Sequence, residues 1–133
     1  MPESLRTLAG RRVGDVVAVV VAALLMVTSG AVHIHLWDIA YRHVATLGPL
    51  FLVQAVAALV GAVVLVAARR LFVVAGSVAL MVGTIIGFIL ADTVGLFGFT
   101  LPEVTGWAYL ALVSEALSAA VLTVVAVRAL RQT

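Results

Sequence analysis

Apolar residues occur along this chain in four long runs that are separated by short polar segments. The runs cover about residues 13–37, 47–68, 71–91 and 105–127. Each supplies roughly the 20 apolar residues that a helix needs to cross a bilayer core of about 30 Å. None shows the alternation of apolar and polar residues that a membrane β-strand requires. The pattern therefore predicts an all-α membrane protein, a four-transmembrane-helix bundle that forms a single domain over residues 1–133.

The basic residues are all arginines, and they are distributed unevenly between the two sides of this four-span pattern. Arg42 lies alone on one side, and the others share the side that holds both termini. These others are Arg6, Arg11, Arg12, Arg69, Arg70, Arg128 and Arg131. Because an excess of basic residues marks the cytoplasmic loops, we expect both termini in the cytoplasm and the loops containing Arg42 and Glu103 outside. This orientation corresponds to a multi-pass protein of the cell membrane.

The first and third runs resemble each other, as do the second and fourth. Asp38 and Asp92 both lie at the outer ends of their runs, and Gln54 aligns with Glu115. The repeat predicts two hairpins of parallel orientation, related by a twofold axis along the membrane normal. An alternative is that the first run is a secretory signal cleaved near Ser29. Cleavage there would remove a helix on which the arginine balance and the repeat both depend.

Small residues recur at every fourth position of the third run. They are Ala75, Ala79, Gly83, Gly87 and Ala91. Such a stripe allows helix backbones to approach each other closely in lipid. It predicts that the third helix packs against a neighbour, either within the bundle or in a homo-oligomer.

Composition excludes several classes of function. The chain is 65% hydrophobic and 11% charged, with a mean hydropathy of +1.29. It contains no cysteine, so disulfides, iron–sulfur clusters and thiol catalysis are excluded. The arginines are scattered and form no face that could follow a phosphate backbone, so nucleic acid is not an expected partner. No serine has a credible base and no phosphate-binding glycine loop is present, so the sequence does not favour an enzyme.

All three histidines lie at the outer end of the first run or in the loop after it. His33, His35 and His43, together with Asp38, could ligate a haem or a divalent metal if the loop folds over them. If the helix continues through Asp38, His33 and His35 instead point roughly 200° apart. His35 would then pair with Asp38 in a hydrogen-bonded cap that orders the loops. Both interpretations stay open, since the stretch matches no diagnostic metal motif.

Polar side chains inside the runs concentrate in the predicted outer half of the membrane. Counting along the helices places His33, Gln54 and Thr84 roughly 7 to 12 Å below the outer interface and Glu115 about 15 Å below it. We expect these four residues to form an outward-facing polar pocket. A carboxyl group at this depth is costly, so Glu115 is expected to face the bundle interior. There it would be protonated and hydrogen-bonded to Gln54, Thr84 or Ser114.

Two stretches carry a resemblance to a known group of proteins. His33–Trp37 has the form His-x-His-Leu-Trp, and Gly48–Gln54 has the form Gly-Pro-Leu-Phe-Leu-x-Gln. In these stretches the chain resembles a family of small four-span membrane proteins of actinobacteria. The resemblance implies the four-span fold and transfers no catalytic residues.

Three classes of function are consistent with the sequence. The first is a small accessory protein that interacts with the lipid bilayer and with another membrane protein or a second copy of itself. The second is a redox protein that binds haem, a metal or a quinone at the outer face. The third is a small transporter in which Glu115 takes up and releases a proton.

The predicted orientation can be tested by labelling, because the chain has no cysteine of its own. An impermeant maleimide applied to intact cells should label a His43→Cys variant, since position 43 is predicted to lie outside. An Arg69→Cys variant should stay unlabelled until the cells are permeabilised, which also controls for its reactivity. Labelling of position 69 with protection of position 43 would reverse the orientation.

Overall fold

The computed structural model describes residues 2–132, and most of them are helical. The helices in chain order are α1 (Glu3–Ala9), α2 (Val16–Leu36), α3 (Leu47–Ala68), α4 (Leu71–Thr93) and α5 (Gly106–Arg131), with a π-helical turn, Trp37–Tyr41, continuing α2. The helices α2 to α5 are long and apolar enough to cross a membrane. No strand occurs within residues 2–132. The predicted all-helical class with four long apolar helices is therefore confirmed.

The chain has two structured segments that the apolar pattern did not predict. One is α1, which is short and polar and precedes the first run. The other is the π-helical turn, in which the Arg42 N–H donates to the carbonyl oxygen of Trp37 at 2.9 Å. This wider turn ends the long helix that begins at Val16 and leads the chain into α3.

The packing of the bundle is arranged around α2, which contacts α3 on one side and α5 on the other. α4 completes the ring by packing against α5 and, less closely, against α3. Four fully buried side chains, one from each long helix, lie in the main core: Met26, Leu65, Met81 and Leu122. In lipid such a core is held by van der Waals packing, because the surrounding hydrocarbon is as apolar as leucine.

The two ends of the bundle differ in composition. We call the end that holds the start of α2 the arginine end and the end that holds Trp37 and Trp107 the aromatic end. At the arginine end, Arg70 donates to the carbonyl oxygen of Gly10 at 2.7 Å, and the Leu71 N–H donates to that of Arg11 at 2.9 Å. These bonds join the segment before α2 to the turn between α3 and α4. The main core occupies the half of the bundle next to this end.

The small-residue stripe of α4 does not pack against another helix of the chain along most of its length. Ala75, Ala79 and Gly83 are exposed, and a Cβ on Gly83 would meet no atom within 4 Å. α4 instead turns Val74 and Met81 into the core, where both are fully buried. The contact expected within the bundle is therefore absent at these three small residues. Packing of the stripe in a homo-oligomer stays a prediction.

The junction between the π-helical turn and α3 depends on a glycine. A Cβ on Gly48 would lie 2.8 Å from the backbone oxygen of Tyr41 and 3.0 Å from that of Arg42. Because backbone atoms cannot move aside cheaply, we expect Gly48→Ala to lower the free energy of unfolding by about 1 to 3 kcal/mol. Denaturant unfolding of the purified protein in detergent measures this change.

The matched control is Gly76→Ala on α4, where a Cβ would meet nothing within 4 Å. Here the better helix propensity of alanine should leave the protein equally stable or more stable, by up to about 1 kcal/mol. Equal stabilities of the two variants would contradict the close approach at Gly48.

Candidate functional site

Four buried polar side chains from three helices meet in the half of the bundle next to the aromatic end. Ser29 and His33 come from α2, Gln54 from α3 and Glu115 from α5. Ser29 and His33 are four residues apart, so they lie on one face of α2. Since α2 packs between α3 and α5, the polar groups of all three helices come together there. We call these four residues the polar cluster.

The hydroxyl group of Ser29 is the centre of the polar cluster. It donates to Glu115 Oε1 at 2.7 Å and accepts from Gln54 Nε2 at 3.1 Å. The backbone oxygen of Ser29 accepts a hydrogen bond from His33 Nδ1 at 2.8 Å, and this nitrogen lies 3.9 Å from Glu115 Oε1. One serine therefore links the polar side chains of α2, α3 and α5.

Two acceptor atoms of the polar cluster remain without a partner in the part of the chain that the structure describes. Gln54 uses Nε2 for Ser29, and its Oε1 is buried with no hydrogen bond. His33 Nδ1 must carry the hydrogen, because the carbonyl oxygen it meets can only accept; in the neutral ring, Nε2 then offers a lone pair. Leaving a buried acceptor such as Gln54 Oε1 without a partner costs about 1 to 3 kcal/mol, so the polar cluster favours the approach of a hydrogen-bond donor.

His33, Gln54 and Glu115 line a cavity of about 400 Å³. The rest of its wall is largely apolar and is contributed by all four long helices, the π-helical turn and the segment before α5. Its exposed lining residues all belong to α3 and α4. They are Leu50, Val53, Ala79 and Gly83. The cavity therefore opens at the bundle surface between α3 and α4, the neighbouring helices of the ring that pack together least closely.

Aromatic rings form the wall of the cavity nearest the aromatic end. The rings of Tyr41 and Phe51 are stacked with their centroids 4.5 Å apart, and the edge of Phe99 meets Tyr41 at 5.6 Å. Phe51 also lies 5.0 Å from the ring of His33. The polar cluster and these aromatic rings thus line the same cavity.

The structure places all four residues of the predicted pocket at one cavity, but only three of them belong to the polar cluster. The structure brings His33, Gln54 and Glu115 to one cavity, and Glu115 is 1% exposed, as expected for a group that faces the interior. Thr84 lines the same cavity, but its hydroxyl donates to the carbonyl oxygen of Leu80 on its own helix at 2.7 Å. Thr84 is therefore not a member of the polar cluster.

The expected partners of Glu115 were wrong, because the carboxyl group bonds to Ser29 and not to Gln54, Thr84 or Ser114. Ser114 instead donates to the carbonyl oxygen of Ala111 on its own helix. Ser29 was missed as a site residue. The available signal was its four-residue spacing from His33, which places both on the same helix face.

The predicted metal ligands His33, His35, His43 and Asp38 do not form a metal site. Within residues 2–132, no three side chains of His, Asp or Glu come close enough together to hold a metal ion. Because α2 continues past His35, this ring turns away from His33 and packs 4.5 Å from that of Trp107. Asp38 pairs with Arg42 at 3.4 Å, not with His35.

Comparisons of the chain with protein-family models, with curated proteins and with solved structures gave no match. The resemblance to the actinobacterial four-span family therefore stays a prediction. The site is defined by its own contacts, a buried hydrogen-bond centre beside a largely apolar cavity.

The central role of Ser29 predicts a large effect of its removal. Ser29→Ala deprives both Glu115 and Gln54 of their partner, so we expect a loss of about 2 kcal/mol or more in the free energy of unfolding. Ser77→Ala is the matched control, because Ser77 is also buried but donates to the carbonyl oxygen of Val73 on its own helix. Removing that bond should change stability by less than about 0.5 kcal/mol. Similar losses in the two variants, measured by denaturant unfolding in detergent, would contradict the role assigned to Ser29.

Proposed function

We propose that the chain is a small multi-pass protein of the cell membrane that binds a lipophilic molecule and acts as an accessory protein and not as an enzyme. The observation that carries this proposal is the cavity of about 400 Å³ lined by His33, Gln54 and Glu115. Largely apolar pockets with a few convergent polar groups are characteristic of small-molecule sites. The cavity opens between α3 and α4 at exposed apolar residues such as Val53 and Ala79, and this opening suits a ligand that arrives from lipid.

The proposed orientation has the arginine end in the cytoplasm and the aromatic end outside. It is supported by the arginine distribution and by Trp37 and Trp107, since tryptophan is enriched at membrane interfaces. In this orientation the cavity lies in the outer half of the bilayer. The proposed repeat of two hairpins is supported by the close packing of α2 with α3 and of α4 with α5.

A pair of substitutions on α4 tests the ligand-binding proposal. Gly83→Leu adds a side chain that would enter the cavity, whereas Gly76→Leu would fill the separate groove between α3 and α4. At both glycines, the position that a Cβ would take has no neighbouring atom within 4 Å. The two substitutions therefore start from equally open surroundings. We expect wild type and Gly76→Leu to copurify with one lipophilic compound that Gly83→Leu loses.

The measurement is mass spectrometry of organic extracts from protein purified out of its own membranes. Circular dichroism checks that both variants keep their helical content. A set of lipophilic compounds that is identical in all three proteins would contradict binding in the cavity.

A small transporter with a protonatable Glu115 is the second candidate. It is favoured by the position of this carboxyl group, which is 1% exposed, lines the cavity and, among the described residues, has no arginine within ion-pair distance. An amide can still accept from Ser29, so Glu115→Gln should keep the fold and lose any pH-driven uptake into proteoliposomes. Uptake that continues unchanged in Glu115→Gln would contradict this role.

Specific cofactors and protein partners are also proposed. A quinone, bound in its reduced hydroquinone form, is one lipophilic ligand proposed for the cavity, whereas a haem or a divalent metal would have to use His33, the histidine that lines it. The exposed small residues of α4, such as Ala75 and Ala79, are the proposed contact for another membrane protein or for a second copy of the chain.

A further inference from the structure

The directions of the hydrogen bonds in the polar cluster limit what the cavity can recognise. A serine hydroxyl has one hydrogen, and Ser29 gives it to Glu115 Oε1 at 2.7 Å. Gln54 must therefore approach Ser29 with the N–H of its amide, and it does so through Nε2 at 3.1 Å. Gln54 Oε1 is left buried without a partner on a side chain that is 8% exposed and lines the cavity.

The second fixed acceptor is on His33. Its Nδ1–H is committed to the backbone oxygen of Ser29, so Nε2 of the neutral ring presents a lone pair. Glu115 is the remaining polar group at the cavity, and its free oxygen accepts or donates according to its proton. Gln54 Oε1 and His33 Nε2 can therefore only accept hydrogen bonds. A ligand that has no hydrogen-bond donor would leave both atoms without a partner.

The aromatic wall favours a ligand that has an aromatic ring in addition to a hydrogen-bond donor. Tyr41 and Phe51 are stacked, and Phe51 lies against His33, so aromatic rings line the cavity next to the polar cluster. An aromatic ring of a ligand could pack on this wall with its polar substituent directed to the acceptors.

We propose that the cavity selects a lipophilic phenol-type molecule, one that carries an aromatic hydroxyl group, over molecules of the same shape that can only accept hydrogen bonds. Hydroquinones belong to the favoured class, and quinones and aryl ethers belong to the disfavoured class. This inference rests on the proposed function, because it names the chemical class of ligand for the same cavity.

The test uses two probes that differ in one donor hydrogen, 4-hexylphenol and its methyl ether 4-hexylanisole. Calorimetric titration into full-length protein in lipid nanodiscs, with empty nanodiscs subtracted, gives the affinity of each. We expect the phenol to bind about tenfold more tightly or better, because its hydroxyl can donate to Gln54 Oε1 or His33 Nε2, whereas the ether leaves both unpaired.

Two variants assign the preference to these atoms. Gln54→Met keeps the length of the side chain but removes Oε1, and His33→Phe keeps a ring but removes Nε2. Because the phenol has one donor hydrogen, either variant alone still offers it one acceptor, and the double variant should reduce the preference to less than about threefold. The control is Thr123→Val, because its hydroxyl donates to the carbonyl oxygen of Ala119 on its own helix and does not line the cavity. This control should keep the wild-type preference.

The outcomes separate this inference from the proposed function. Equal affinities for phenol and ether, both lost in Gly83→Leu, would overturn the inference and leave the ligand-binding proposal intact. Absence of saturable binding by either probe would overturn the inference, and the copurification comparison of Gly83→Leu with Gly76→Leu would then decide the ligand-binding proposal by itself. A phenol preference that persists in the double variant Gln54→Met/His33→Phe would also overturn the inference, since the hydroxyl would then be recognised elsewhere. If a variant fails to fold, the wild-type comparison of the two probes still decides the main claim.

Discussion

A carboxyl group inside an apolar bundle is tolerated only when other groups satisfy its oxygens, and Glu115 meets this constraint through Ser29. The resulting bond joins α5 to α2. Ser29 then has a lone pair for Gln54 and a backbone oxygen for His33, so the position of each polar side chain follows from the same serine. The arrangement of the cavity wall therefore depends on a contact between the first and the last of the long helices.

The bundle is divided into a densely packed half and a hollow half. Met26, Leu65, Met81 and Leu122 fill the half next to the arginine end. In the other half, α4 presents Gly83 and Gly87 where larger side chains would close the space, and the rings of Tyr41 and Phe51 cover it from the aromatic end. Packing in the dense half holds the four helices in their relative directions. The helices can therefore stay apart in the hollow half, and the cavity keeps its shape.

The all-helical class and the four long apolar helices could be predicted from the sequence because the apolar runs are long and the interruptions are short. Glu115 could be placed in the interior because a carboxyl group in such a run has few alternatives. Ser29 could not, since serine and threonine in apolar helices commonly donate to their own helix, as Ser77, Thr84 and Thr123 do here. The stripe on α4 was ambiguous for a related reason, because small residues serve equally to admit a neighbouring helix and to leave a cavity.

The bond between Ser29 and Glu115 spans 86 positions of the chain. If the helices enter the membrane in the order of synthesis, α2 reaches lipid long before α5 exists. Until then, the Ser29 hydroxyl has a carbonyl oxygen of its own helix as its nearest substitute, the contact that Thr28 makes with Leu24. The polar cluster is therefore completed only once α5 has been made, and a nascent chain that stops short of residue 115 has the four-residue spacing of Ser29 and His33 but no site.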